Sequence, residues 1–403
     1  MRAVIDGFTD TIRRVFTDPG VLLLLVGAVV IYSLFYPLPY LHEVVKESRV
    51  GVVDLDQSSL SRQLRRWVDA HEATHVVLRT ANPETIEAAI TTGEIAGYLV
   101  IPAGLRADVL RGRRAVIVYG GDAGRFLVLK QVLTGFAESA GTLSAGIDVR
   151  RQTASGSSVS QAMAAQSPVA LHLRPLFNTR EGYGSYLIPA VFVLILQQTL
   201  LLGVGMIFGT VLERTPKPLA CVHSETTARL VARFVGGCGA YVSLYAAHLM
   251  FYFGFCFWLF TVPRGGDPVA LALFGVPFLL AITLFAQTVA GWCGERETSV
   301  QALLVTSLLF LFLAGFAWPL ALMPLPLRWL AHLVPSTAGI QGFLRLNQMG
   351  ASLAEVSHWW WTLWALCGVY AWPAWRNWRR VHAPGVSQTI ASSNRNQKEA
   401  VQP

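Results

Sequence analysis

MPLPLRWLAHLVPSTAGIQGFLRLNQMG, residues Met323–Gly350, is the stretch whose reading decides the fold. It follows a hydrophobic run, Val300 to Leu322, that is long enough to cross a bilayer. About 20 helical residues at 1.5 Å each cover the roughly 30 Å hydrocarbon core. A tryptophan-rich apolar run follows from Trp359. The quoted stretch is too short and too broken to cross. It sets Arg328, His332, Arg345 and Asn347 among leucines and prolines. It reads as short helices lying in, or dipping into, the outer face of a membrane.

The composition agrees. The 403 residues are 53% hydrophobic and only 14% charged, where soluble domains carry roughly 25%. This implies an integral membrane protein with a sizeable soluble part. The net charge of +8 is expected to face the cytoplasm and anionic lipid. No basic run or aromatic-interleaved basic stripe occurs, so nucleic acid is not an expected partner. Cys221, Cys238, Cys256, Cys293 and Cys367 all lie outside Tyr40 to Arg180, and none shows CxxC or Cys/His spacing. They read as small buried hydrophobes, with no metal.

Taken in order, residues 1–18 place Val4, Phe8, Ile12 and Val15 at helical spacing against Asp6, Asp10, Arg13 and Arg14. The pattern fits an amphipathic helix on the cytoplasmic surface, or simply a solvated first helix. Asp6, Asp10 and Asp18 argue against a cleavable signal peptide. The first span falls in 19–41. Residues 42–180 then change to a soluble composition. Strands are expected at Arg49–Asp54, His75–Leu78, Gly97–Ile101 and Ala115–Tyr119, alternating with helices. One or two long helices follow from Arg125 to Met163. This is a small α/β domain. Its glycines form neither GxGxxG nor GxxxxGK[ST]. Asp54 and Asp56 sit at a strand end and read as capping or turn residues before the next helix, and His71 and His75 lack a third ligand.

Residues 181–378 hold five further spans: Tyr183–Phe208, Val231–Phe260, Val269–Trp292, Val300–Leu322 and Trp359–Trp375. Gln197 and Gln198 lie in the middle of one and Gln287 in another; buried amides must face another helix or a wet path. His248 reads as helix–helix glue. The arginines Arg2, Arg13, Arg14, Arg214, Arg229, Arg233, Arg296, Arg376, Arg379 and Arg380 fall on one side if there are six spans. Both termini are then cytoplasmic and the α/β domain lies outside. The tail, 379–403, reads as polar and disordered from Pro384. The fold expected is an α-helical integral membrane protein with six transmembrane helices, plus an α/β extracytoplasmic domain inserted between the first and second, and outer re-entrant or interfacial helices at 323–350.

No Walker motif, catalytic triad, intramembrane carboxylate pair or metal cluster is present in the sequence. Energy for transport is therefore expected from another chain. At this point the sequence resembles a known family, the ABC-2 type permeases. The resemblance rests on Asp18–Pro19, VVDLDQSS at Val52–Ser59, RPLFNT at Arg174–Thr179, GFAWPLALMP at Gly315–Pro324, LVPSTAGIQGFLRL at Leu333–Leu346, and Gly350 before Leu353. It covers nearly the whole chain. The large outer domain is similar to that of the multidrug-exporter branch. The resemblance implies a second permease copy or a sister permease, and cytoplasmic ABC ATPase subunits carrying ATP-Mg. It also implies a periplasmic adaptor, an outer-membrane channel and a bacterial inner-membrane location. The chain itself would bind no cofactor.

Coupling to the ATPase is expected at Arg13, Arg14, Glu213, Arg214, Lys217, Glu295, Arg296 and Glu297. The first cytoplasmic loop, LERTPKPLA, departs from the family's E-x-E-x-G-T form. A path or gate is expected at Gln197, Gln198, Gln287, Pro319, Pro324 and Pro335, where the prolines either shape a gate or merely end a helix. The second and fifth spans are expected to face dimer mates. Export of a drug-like or amphipathic substrate is the leading expectation. Export of a lipid or polymer, or an envelope-stress sensor, are the alternatives.

Overall fold

Asp18 sets the start of the first long helix. Its Oδ1 accepts from the backbone N–H of Gly20 and Val21, and Pro19 occupies the first helical position, where a missing N–H costs nothing. The computed structural model describes residues 1–166, 176–179, 182–214, 226–292 and 295–382. Two units divide the chain: Met1–Leu41 with Pro175–Pro403, and His42–Arg174.

In the first unit, α1 (Arg2–Thr17) precedes a near-continuous rod made of α2 (Pro19–Leu22), a π-helical stretch Leu23–Gly27, and α3 (Ala28–Phe35). The chain then enters the second unit. There β1 (Ser48–Asp54), α4 (Ser59–Ala70), β2 (Thr74–Thr80), α5 (Pro83–Thr91), β3 (Gly97–Ile101), α6 (Leu105–Leu110), β4 (Val118–Gly121), α7 (Phe126–Ala154) and α8 (Val159–Gln166) follow in turn. The sheet order is β2-β1-β3-β4, with β1 parallel to both neighbours and β4 antiparallel to β3. Central β1 is buried along almost its whole length, as a strand covered on both faces must be. Val50, Val52, Leu99 and Ile101 pack with Leu64 of α4 and with Val132 and Phe136 of α7. Val53 packs with Ile86 and Ala89 of α5 on the other face.

The sequence reading of this unit needs correction at its fourth strand. The fourth strand lies at Val118–Gly121 rather than Ala115–Tyr119, because only those residues find ladder partners in β3. The cap of α4 is Ser58, which accepts from Leu60 and Ser61 N–H, while Asp54 bonds Gln57 N–H and the Ser61 hydroxyl. Asp56 instead accepts from Arg106 N–H at the start of α6. The long helix breaks at Gly156, whose φ of +97° suits a residue without a Cβ. His71 pairs with Glu138 at 3.0 Å and His75 with Asp69 at 3.6 Å.

Back in the first unit, the chain forms α9 (Tyr183–Arg214), α10 (Thr227–Met250) with a π-helical extension Phe251–Cys256, and α11 (Phe257–Leu259). Then come α12 (Pro268–Ala290), α13 (Arg296–Leu313), α14 (Leu325–His332), α15 (Pro335–Asn347) and α16 (Ser357–His382). Among the described residues, five helices are long and apolar enough to cross a membrane: Pro19–Tyr40, Tyr183–Glu213, Thr227–Leu259, Pro268–Ala290 and Arg296–Leu313. The tryptophan-rich α16 has the length, 26 residues, without the composition that places the others in that set.

Helix α9 is the hub. It is apolar all round, and 94% of its most apolar window is buried within its own chain. The expectation that the second span faces a dimer mate is therefore corrected. Helix α13, only 22% buried over the same kind of window, keeps an open apolar face. It also ends nine residues earlier than expected, at Leu313, because Gly315 takes a left-handed φ of +79° and turns the chain.

Helix α15 is packed into the bundle rather than laid on it. Ser336 N–H donates to Gln197 Oε1 at 2.7 Å, and Gln348 Nε2 donates to the Ser185 carbonyl at 2.5 Å. It thus runs antiparallel beside α9, from that helix's middle to its start. The stretch of α9 between those contacts is about 18 Å long at 1.5 Å per residue, roughly half a hydrocarbon core. The approach is made possible by Gly339 and Gly342. A Cβ at Gly342 would lie 2.0 Å from Phe274, and one at Gly339 would lie 2.5 Å from Phe278. Close packing of small residues replaces the hydrophobic drive that lipid does not supply between helices.

Gly342→Ala is expected to destabilise the first unit by about 1–3 kcal/mol through overpacking. Thermal unfolding in detergent should show a lowered midpoint, partly restored by adding Phe274→Leu. An unchanged midpoint would remove the steric argument.

Candidate functional site

Four polar side chains from three stretches meet where α9 ends and α13 begins. Arg296, the first residue of α13, grips Asp18 with both guanidinium arms, Nη1 to Oδ2 at 2.5 Å and Nη2 to Oδ1 at 2.9 Å. Such a forked pair is the strong form of ion pair. Nη1 also donates to Thr210 Oγ1 at 2.8 Å. The Arg296 backbone N–H donates to Glu213 Oε1 at 2.7 Å, so Glu213 satisfies an orphan donor at the start of α13. Gly209 permits the approach, since a Cβ there would lie 2.5 Å from the Arg296 backbone.

The pair is half-buried, with side chains 27% and 23% exposed. The Arg296 hydrogen bond, helped by the Val21 and Gly20 N–H groups, holds the Asp18 carboxyl down at about 2 against the opposing effect of burial. Beside the pair opens a cleft of about 250 Å³ lined by Arg14, Thr17, Asp18, Val21, Ile207, Thr210 and Val211.

The N-terminal helix is fastened to this end of the bundle. Arg233 of α10 bonds Asp10 at 2.7 Å, and Gly236 of α10 faces the Val4 carbonyl so closely that a Cβ would lie 2.0 Å from it. Val15 is fully buried, while Val4 remains 37% exposed. Its apolar face is thus used in part against α10 and the first rod.

Of the residues expected to couple, Glu213 and Arg296 meet directly and Arg14 lines the adjoining cleft. Glu295 stands at the N-cap position of α13, where its Oε2 accepts from Thr298 Oγ1 at 3.2 Å. Glu297 is exposed in the first turn of α13, where the helix dipole favours an anion. Arg13 is exposed on α1. Arg214 is the last residue of α9, and Lys217 lies outside the described residues. Arg296 opens helix α13.

The three amides expected on a path are tied to neighbouring helices. Gln197 is fully buried and receives Ser336 N–H on Oε1, while its Nε2 has no partner among the described residues. Gln198 Nε2 donates to the Leu303 carbonyl of α13 at 2.7 Å. Gln287 Nε2 reaches Cys238 Sγ at 3.4 Å. Its helix end is held by Asn377, which donates to the Thr288 carbonyl at 2.9 Å. The prolines begin short helices: Pro319 precedes the 3₁₀ turn Leu320–Leu322, Pro324 is the N-cap of α14, and Pro335 is the buried first residue of α15. His248 is buried with its ring 5.0 Å from that of Tyr245. Cys238, Cys256 and Cys367 are buried; Cys221 and Cys293 lie outside the described residues. Among the described residues, no group of three or more His, Cys, Asp and Glu is placed to hold a metal.

Sequence reasoning did not single out Asp18, Thr210, Ser336 or Asn377 as site residues. For Asp18 the signal was present, an aspartate before a proline at a helix start. For the others it was not, because each acts through a partner far away in sequence.

These features define a helical membrane subunit whose buried polar groups hold helices together. The sequence pattern of ABC-2 family transporter proteins matches residues 19–376, and the chain belongs to that family. It is thus the membrane component of an ABC transporter, and the family implies an ABC ATPase partner. No curated protein matches the chain.

The Asp18 pKa gives a pH expectation. A carboxyl lowered from 3.8 to about 2 contributes stability that is complete above the unfolded value and is lost as pH falls through about 2. Asn caps a helix as well as Asp, so Asp18→Asn removes the charge and keeps the cap. The gap in chemical-denaturation stability between the parent and Asp18→Asn should stay constant from about pH 7 to 5 and close between about 4 and 2. A gap that widens with acid would refute the assignment.

Proposed function

We propose that the chain is the permease of a bacterial exporter that moves a drug-like or amphipathic substrate outward with ATP-Mg hydrolysed on its partner. In this reading α16 is the sixth span, both termini are cytoplasmic, and the α/β unit stands in the periplasm, serving an adaptor and an outer-membrane channel. The observation that carries the reading is the Asp18–Arg296–Thr210–Glu213 cluster. It joins the starts of two rods and the end of a third at the face that bears the N-terminal helix. A partner docking on that face would push on α2, α9 and α13 together.

A second permease copy would seat on the open apolar face of α13, which exposes Leu304, Val305, Leu308 and Phe312. The fifth span then faces the mate as expected from the sequence, and the second span supports it from behind. The hairpin of α14 and α15 forms the outer gate in this proposal, with Pro324 and Pro335 fixing where its helices begin.

The test is co-reconstitution with the ATPase partner in vesicles. Arg296→Gln leaves Asp18 without its counter-charge and is expected to reduce cargo-stimulated hydrolysis about tenfold, in keeping with loss of one member of a charge pair. Assembly with the ATPase should persist. Hydrolysis that still rises with cargo as in the parent would reject the coupling role.

A further inference from the structure

A cavity of about 570 Å³ opens at the other end of the bundle, where α10 and α11 turn into α12 beside the end of α15. Its walls are apolar: Leu249, Met250, Phe253 and Leu271. Two groups break that character. Arg264 stands on the exposed turn, its Nη1 3.3 Å from the Gly254 carbonyl. Asn347, 95% buried by its 5% exposure, lines the cavity and carries an Nδ2 that donates to nothing among the described residues. The terminal torsion of an asparagine is soft, so a modest rotation turns that donor toward a ligand. The Asn347 backbone is anchored independently, its carbonyl accepting from Gly265 N–H at 2.7 Å.

The surroundings say what kind of molecule fits. The volume is that of a small-molecule site. Met250, on the wall, is 71% exposed, so the cavity is continuous with the apolar flank of the bundle. The wall includes the π-helical stretch Phe251–Cys256, and a Cβ at Gly254 would meet nothing within 4 Å, so there is room beside it. Trp258, 64% exposed on α11, marks the level at which aromatic rings sit in lipid headgroups. A cation at the mouth, a buried unpartnered donor and an apolar wall open to one side describe a phosphate with an acyl chain. The Asp267 carboxylate, between the lining residues Gly266 and Pro268, caps α12 through Val269 and Ala270 N–H. It places a negative charge three residues from Arg264 along the same turn.

We propose that this cavity is a phospholipid site that takes a zwitterionic, ammonium-bearing glycerophospholipid. Arg264 and Asn347 hold the phosphate, Asp267 favours the ammonium group, and one acyl chain runs along Met250. The site is distinct from the coupling cluster and does not depend on the exporter reading. Bound lipid would brace α10, α12 and α15 against one another, and so would bias the packing of the re-entrant helix.

The experiment is native mass spectrometry of the full chain, delipidated in detergent and titrated with phosphatidylethanolamine, with phosphatidylglycerol, and with inorganic phosphate as competitor. The parent is expected to retain phosphatidylethanolamine over phosphatidylglycerol. Arg264→Ala, on an exposed turn, should lose about tenfold in retention, the worth of one charge-assisted hydrogen bond. Asn347→Ala should lose retention in the same direction. Asp267→Asn, which keeps the cap, should abolish the preference between the two lipids. Parent-like retention in Arg264→Ala, an unchanged preference in Asp267→Asn, or displacement of the lipid by millimolar phosphate would overturn the proposal. A thermal melt of Arg264→Ala matching the parent establishes that any loss is local.

Discussion

The contact of Gly339 and Gly342 with the rings of Phe278 and Phe274 is the constraint on which the bundle depends. Without side chains at those two positions, α15 lies against α12 at a depth that any larger residue would forbid. That depth brings Ser336 to Gln197 and Gln348 to Ser185, so α15 is fixed to α9 at both its ends. Phe343 then meets Phe253, Phe274 and Phe278 with ring centroids 5.0 to 5.3 Å apart, and the aromatic cluster closes the space between α10, α12 and α15. In lipid, where burying apolar area between helices gains little, this fit and the few polar contacts beside it supply the cohesion.

Buried polar groups need partners inside the bundle, because hydrocarbon offers none. Tyr245 OH donates to Thr199 at 2.9 Å and Tyr252 OH to the Val29 carbonyl at 2.8 Å, joining α10 to α9 and to the first rod. Gln198 joins α9 to α13. Each amide or phenol marks a helix pair. Sequence can locate such a residue in the middle of an apolar run and state that it needs a partner. It cannot name the partner, because the helix that answers lies tens to hundreds of residues away.

That limit separates what was legible from what was not. The α/β unit was read almost strand by strand, since period-2 alternation and turn residues are local signals, and only β4 shifted. The starts of the long helices were legible from Asp18–Pro19 and Asp267–Pro268, where cap chemistry is written in adjacent residues. The early end of α13 was not legible, because the apolar run continues through Leu320 and Leu322 while one left-handed glycine turns the chain. The burial of α9 also escaped the reading. A helix apolar on all sides reads the same whether lipid or protein surrounds it. The polar cluster around Arg296 was half legible. Charged residues at span ends are visible, but Asp18, the partner of Arg296, lies 278 residues away in the chain.

The two ends of the bundle share one member. Helix α9 carries Thr210 and Glu213 in the polar cluster, Gln197 and Gln198 at its middle, and Ser185 and Tyr186 at its start, where the Tyr186 hydroxyl bonds the Phe316 carbonyl beyond α13. Helix α13 follows it along the same length, from Arg296 past Leu303 to that turn. A helix buried on every side and bonded at both ends resists bending, because any kink would open contacts that close packing has already made. In the proposed cycle a displacement applied at Glu213 and Arg296 would therefore be carried along the α9–α13 pair as a shift of the whole pair. The same pair holds the start of α15 through Gln197 at the middle of α9 and through Leu313 at the end of α13, whose carbonyl accepts from Thr337 at 3.2 Å. A hairpin anchored on a moving pair must move with it or break those bonds. In the proposed cycle that geometric choice makes α15 answer a push delivered at Glu213 and Arg296.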